Sequence, residues 1–212
     1  MSCQLKVVDL NCLPPAEEIL GAKESAFFKT LRFPKRRTEW LGGRLALKDL
    51  VQQATGTAKK EIEILPQTSG KPLLFVGGKP CLLPFSITHS HGFAVAGLSS
   101  EGTFLGIDLE KIAHRIDAWA KDFFHPTELT GTDDTFLTAL WTQKEALVKV
   151  LGTGLSLNSY DVRCVNGRAE FYGAAWTAYQ KIGCPALEIK TWELVPGFMF
   201  TQAVGKINPV IL

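Results

Sequence analysis

The sequence predicts an α+β protein built from two similar α/β lobes, residues 1–102 and 103–212, with a ligand held in the cleft between them. Three observations carry that prediction. Each half offers one major helix with an apolar period, about 34–54 in the first and about 135–151 in the second. Each is flanked by short runs that read as strands. The 212 residues, 46% of them hydrophobic, are enough for one large core or two small ones. No sequence repeat accompanies this duplication; it rests on the order of elements.

Leu5 to Leu10 reads as a strand, followed by the Pro14-Pro15 break. Residues 16–31 read as one amphipathic helix. Pro34 suits the first turn of the next helix, where its missing N–H costs nothing. Trp40, Gly43, Leu47, Leu50, Val51 and Ala54 form that helix's buried stripe. Gly42-Gly43 costs roughly 1 kcal/mol of helix propensity per glycine, which makes sense if another backbone packs close. Arg37, Arg44 and Lys48, at i, i+7 and i+11, line one flank. That flank suits either a solvated face or an anionic ligand.

Strands are expected at 61–65, 73–76, 85–88 and 93–98, with a turn at Gln67-Thr68-Ser69-Gly70-Lys71-Pro72. His89-Ser90-His91-Gly92 reads as a donor-rich loop, fit for an anion or simply exposed. No cysteine or carboxylate lies at zinc-ligand spacing from these histidines. Residues 104–109 form the next strand. Alternation puts Asp108 and Glu110 on one face and Ile107 and Leu109 on the other. Two neighbouring carboxylates repel unless a cation lies between them, and hard oxygens favour Mg²⁺ or Mn²⁺ over zinc. Two solvated acids at a strand end fit the same pattern.

A short helix is expected at 116–124. The second long helix, 135–151, has Asp133 or Asp134 to cap it and Gly152 and Gly154 to stop it. Glu145 and Lys149 lie four apart beside its apolar stripe, a spacing that also suits an ordinary surface ion pair. Lys144 falls on the stripe itself and needs a partner or a path to water. Asn166-Gly167 marks a tight hairpin turn between 161–165 and 168–172. Residues 174–183 fit no single element, and 187–194 with 198–204 read as a closing hairpin.

The net charge is only +2. Lys23 to Lys48 nonetheless holds eight Lys/Arg against Glu24 and Glu39, or +6. This suits a small polyanion or an acidic protein better than long nucleic acid. Five cysteines, odd in number and without CxxC spacing, read as reduced thiols of a cytoplasmic protein. No run nears the ~18 apolar residues of a membrane span, and no signal peptide is visible.

Taken in order, Phe85-Ser86-Ile87-Thr88-His89-Ser90, Gly106-Ile107-Asp108-Leu109-Glu110 and Trp141-Thr142-Gln143-Lys144-Glu145-Ala146-Leu147-Val148-Lys149, with Gly152-Thr153-Gly154-Leu155, resemble the 4′-phosphopantetheinyl transferases. Gly70-Lys71-Pro72 also matches, and the length fits the large two-lobed, surfactin-synthetase-activating type. The resemblance implies a monomer that moves phosphopantetheine from coenzyme A to a serine of an apo acyl, peptidyl or aryl carrier protein, releasing 3′,5′-ADP. It implies Asp108, Glu110 and Glu145 as ligands of Mg²⁺ (or Mn²⁺) and Lys149 as a phosphate contact. Glu145, or a water it holds, would deprotonate the serine. Thr88 and His89 would hold the 3′-phosphate region, with Lys71 adding charge. Arg37, Arg44 and Lys48 are candidates for further basic contacts. Thr88 stands where the family often has serine, and Ser86 where it often has asparagine. The competing readings are a non-catalytic module that binds coenzyme A or a carrier, and another Mg²⁺-dependent nucleotide phosphotransferase. The latter lacks any Gly-rich phosphate loop here.

Overall fold

The computed structural model describes residues 3–67, 72–154 and 157–206. The chain divides into two compact units, Met1–Glu101 and Gly102–Leu212. In the first, β1 (Gln4–Asp9) leads through two short helices, α1 (Ala16–Ile19) and α2 (Ala22–Thr30), into α3 (Pro34–Thr55). Strands β2 (Ile62–Leu65), β3 (Leu73–Val76) and β4 (Lys79–Cys81) form one antiparallel sheet. Strands β5 (Phe85–Ser90) and β6 (Phe93–Leu98) join β1 in a second, ordered β1-β6-β5. Helix α3 lies on β6 and β1 and seals a core containing Trp40, Leu47, Val51, Ile62, Ile64 and Ala96.

Several local expectations change. The helix read over 16–31 breaks at Leu20-Gly21, where both residues are extended, and only glycine fits at 21 because a Cβ there would lie 2.7 Å from the Lys60 carbonyl oxygen. The Gly42-Gly43 pair admits side chains rather than another backbone: a Cβ would stand 2.1 Å from Leu10 at Gly42 and 2.8 Å from Ile87 at Gly43. The turn between β5 and β6 is only His91-Gly92, both at positive φ, so His89 and Ser90 belong to the strand.

In the second unit, β7 (Thr103–Lys111), α4 (Asp117–Phe123) and α5 (Asp134–Leu151) come first. The hairpin β8 (Val162–Val165)–β9 (Arg168–Phe171), α6 (Gly173–Lys181), β10 (Leu187–Val195) and β11 (Phe198–Lys206) follow. The Asp133 carboxylate caps α5 by accepting from the Phe136 amide at 2.9 Å, and Gly152, at φ 69°, ends it. Residues 173–181, unassigned from sequence, are helical because Ala175 and Ala178 are buried and Asp161 accepts from the Ala174 amide. Helix α5 packs on β7 and β11.

The two units repeat one plan. Each runs from a first strand through short helices, a long helix and a hairpin (β2–β3 or β8–β9) to a closing hairpin, with β4 added in the first unit and α6 in the second. The sheet β1-β6-β5 of one matches β7-β11-β10 of the other, antiparallel throughout. Register aligns them residue by residue. Lys6 pairs with Ala96, three residues into β6 from Phe93; Asp108 pairs with Thr201, three residues into β11 from Phe198. Lys6 is thus the counterpart of Asp108.

Candidate active site

Strand β7 supplies the first acids. Asp108 is 5% exposed, Glu110 lies half-buried near the strand's end, and both side chains share the face that carries Gly106. That face meets α5. A Cβ at Gly106 would lie 1.9 Å from the Ala146 carbonyl oxygen and 2.9 Å from the Val150 nitrogen, so only glycine lets the helix come this close. The approach brings the Lys149 ammonium to 2.8 Å from Asp108 Oδ1 and 2.8 Å from the Ile107 carbonyl, and it donates to both.

Glu145, one turn earlier on α5, completes the group. Burial pushes its carboxyl above the ordinary value, the negative charges of Asp108 and Glu110 push it further, and Lys149 opposes them. Asp108, Glu110 and Glu145 against Lys149 leave a formal charge of −2 when all are ionised. A hard divalent cation suits three carboxylates and that charge deficit. Among the described residues, however, no three His, Cys, Asp or Glu side chains form a ready ion cage. The fit therefore rests on donor chemistry and charge. Glu145 also borders a cavity of about 170 Å³ together with Phe123, Trp141, Val148 and Asn158.

The remaining expected residues belong to the first unit. His89 on β5 lies beside the first turn of α3, with its Nε2 3.4 Å from an Arg36 guanidinium nitrogen and its Nδ1 3.8 Å from Glu39. Phe33, Lys35, Arg36, Glu39, His89 and His91 line a cavity of about 600 Å³ there. Thr88 is buried on the other face of β5. Lys71 lies outside the described residues.

The basic flank of α3 does not form a ligand-facing row. Arg37 donates to the Phe28 and Leu31 carbonyls and stacks on Phe28, tying α2 to α3. Arg44 covers Trp40 and donates to the Ile64 carbonyl, and burial lowers its pKa to about 10. Lys48 is wholly buried in an ion pair with Glu24. The i, i+7, i+11 spacing identified a shared face but not what covers it. Arg36 lies within 3.4 Å of His89, and the spacing argument missed it because it is one position away from that flank. Gly106 was also overlooked as a structural element of the site, although a glycine inside a strand signals close backbone approach.

A sequence profile of the 4′-phosphopantetheinyl transferase superfamily matches residues 104–187, wholly within the second unit. A holo-[acyl-carrier-protein] synthase of Geobacillus is 36% identical over 86 residues, 38% of this chain and 71% of that protein. The 4′-phosphopantetheinyl transferase Sfp of Bacillus subtilis is 35% identical over 135 residues, 57% of each chain. A Synechocystis protein provisionally named as such a transferase is 31% identical over 158 residues, 70% of this chain and 63% of that one. This chain therefore spans about three fifths of the length of these two longer relatives. Among the described residues, no helix is long and apolar enough to cross a membrane. The profile match, the relatives and the placement of Asp108, Glu145 and Lys149 inside the matched segment agree: the chain belongs to the 4′-phosphopantetheinyl transferase superfamily.

Proposed function

We propose that the protein transfers 4′-phosphopantetheine from coenzyme A to a serine of an apo carrier protein. The observation that carries this reading is the contact of Lys149 with Asp108, with Glu145 one turn away, within the segment that matches the superfamily. Asp108, Glu110 and Glu145 would hold Mg²⁺, which when bound offsets negative charge on the pyrophosphate. Lys149 adds a second positive charge near the phosphates.

The serine oxygen attacks the phosphorus that bears the pantetheine arm. A new P–O bond forms, the bond to the bridging oxygen breaks, and 3′,5′-ADP leaves with that electron pair. The serine proton passes to Glu145 directly or through water. In the metal-free protein, burial and the neighbouring acids hold the Glu145 carboxyl above its ordinary value, and a divalent ion bound beside it would lower it. Such displacements depend mainly on alignment and charge stabilisation. His89 and Arg36 suit the 3′-phosphate, at the N-terminal end of α3 where free amides favour an anion.

The test incubates the chain with coenzyme A, Mg²⁺ and apo acyl, peptidyl and aryl carriers, followed by intact-mass measurement. One carrier should gain a single phosphopantetheine on serine, with equimolar 3′,5′-ADP. No mass gain on any of the three classes overturns the proposal.

A further inference from the structure

Each unit contains the same buried ion-pair fixture. In the second, Lys144 on α5 is 2% exposed and pairs with Glu128 Oε2 at 2.8 Å. Its ammonium also donates to the Phe123 and Ser159 carbonyls at 3.0 and 2.8 Å. Glu128 accepts from the His125 and Cys164 amides at 2.8 and 2.9 Å. In the first unit, Lys48 on α3 pairs with Glu24 and donates to the Ile19 and Lys59 carbonyls. Glu24 accepts from the Gly21 and Ile64 amides.

The spacings agree at each step. The first carbonyl lies five residues before the glutamate in both units (19 and 24; 123 and 128), and the first amide three before it (21 and 24; 125 and 128). The second carbonyl lies five before the strand amide (59 and 64; 159 and 164). All three ammonium protons have acceptors in each case, the condition under which a buried pair fixes geometry.

The residue after the buried lysine is an acid in both units, and in both it faces the first strand. Asp49 meets Lys6 of β1 at 3.1 Å, with Lys59 on its other oxygen. Glu145 lies one turn before Lys149, whose ammonium contacts Asp108, the register counterpart of Lys6. The fixture thus does the same geometric job on two different chemistries.

We infer that Lys144 and Glu128 are positioning residues: their buried pair locks the rotation and height of α5 so that Glu145 faces Asp108 and Glu110. This rests on the proposed metal-carboxylate site, which the experiment checks separately. Mn²⁺ binding without coenzyme A is titrated by electron paramagnetic resonance, and kcat and KM for coenzyme A are measured with a carrier that the wild type modifies. The paired variant Lys144→Met/Glu128→Gln, which leaves neither charge unpartnered, should weaken Mn²⁺ binding at least tenfold. It should lower kcat at least tenfold with KM changed less than threefold. Lys48→Met/Glu24→Gln should lower the Tm comparably yet leave Mn²⁺ affinity within twofold of wild type.

Wild-type Mn²⁺ affinity in the Lys144/Glu128 variant overturns the inference, as does equal loss in the Lys48/Glu24 variant. If the former pair fails to fold, Lys144→Arg keeps the charge but changes its geometry. Mn²⁺ binding at least threefold weaker supports the inference, and unchanged binding overturns it. A wild type that binds no Mn²⁺ refutes the carboxylate site itself, and the positioning role with it. A wild type that binds Mn²⁺ but modifies no carrier refutes the transfer reaction alone.

Discussion

Gly106→Ala is the sharpest single test of the site. The added methyl would stand 1.9 Å from the Ala146 carbonyl oxygen and 2.9 Å from the Ala146 carbonyl carbon and the Val150 nitrogen. These are backbone atoms of the last two turns of α5, so no rotamer change relieves the clash. Ordinary contact begins near 3.4 Å, so helix and strand must separate by about 3.4 − 1.9 = 1.5 Å along that line. Overpacking of this kind costs about 1–3 kcal/mol, equivalent to roughly 2–12 °C in Tm for a chain of this size. Separation also pulls Glu145 and Lys149 away from Asp108. A misplacement near 1 Å costs on the order of 10²-fold in rate. Thermal unfolding and carrier-modification kinetics should therefore show a modest Tm loss with a disproportionate loss of kcat. Gly167→Ala is the control: its φ of 73° is unfavourable for alanine, but the space around it is open and it lies in a turn. It should lower Tm by a similar amount and leave kcat within twofold. Gly106→Ala turnover within threefold of wild type, with Tm within about 1 °C, would refute the close-approach argument.

Three further outcomes follow from the same geometry. Glu145→Gln should reduce kcat by about 10²–10³-fold while raising the Tm of metal-free protein at neutral pH. Its native carboxyl is shifted upward, so above the ordinary glutamate value of 4.5 the unfolded chain holds fewer protons and native stability falls as pH rises towards the native pKa. A metal-free Tm profile from pH 4 to 8 checks this, and the glutamine variant should lose that component. Lys149→Met should lower kcat/KM roughly 10²-fold, measured with saturating carrier at varied coenzyme A. Arg36→Ala should raise KM for coenzyme A about tenfold but change KM for 3′-dephospho-coenzyme A much less, consistent with about 1.5–3 kcal/mol for a charged hydrogen bond.

The long helices were legible because their apolar periods and end signals agree: Pro34 opens α3, and Asp133 and Gly152 bracket α5. The 166–167 turn was legible because Asn-Gly accepts two positive φ angles. Helix α6 was not, since its N-terminal partner, Asp161, comes from 13 residues upstream. The acids on β7 followed from simple alternation. The partners of the buried lysines did not, because Glu24 and Glu128 lie 24 and 16 residues before Lys48 and Lys144, at no helical or strand spacing. For the same reason, the basic flank of α3 looked available: a helical wheel places Lys48 beside Arg44 but cannot show the carbonyls of Ile19 and Lys59 closing over it.

The Lys6–Asp49–Lys59 cluster has a consequence for stoichiometry. In the second unit one ammonium, Lys149, stands against three carboxylates, a deficit of −2; in the first, two ammonium groups meet one aspartate, a local surplus of +1. A divalent ion approaching that spot meets repulsion and finds the acid already neutralised. The twofold repeat of the scaffold therefore does not double the chemistry: the first half neutralises its acid within its own sequence, and under the proposed reading the second would take a divalent ion from solution.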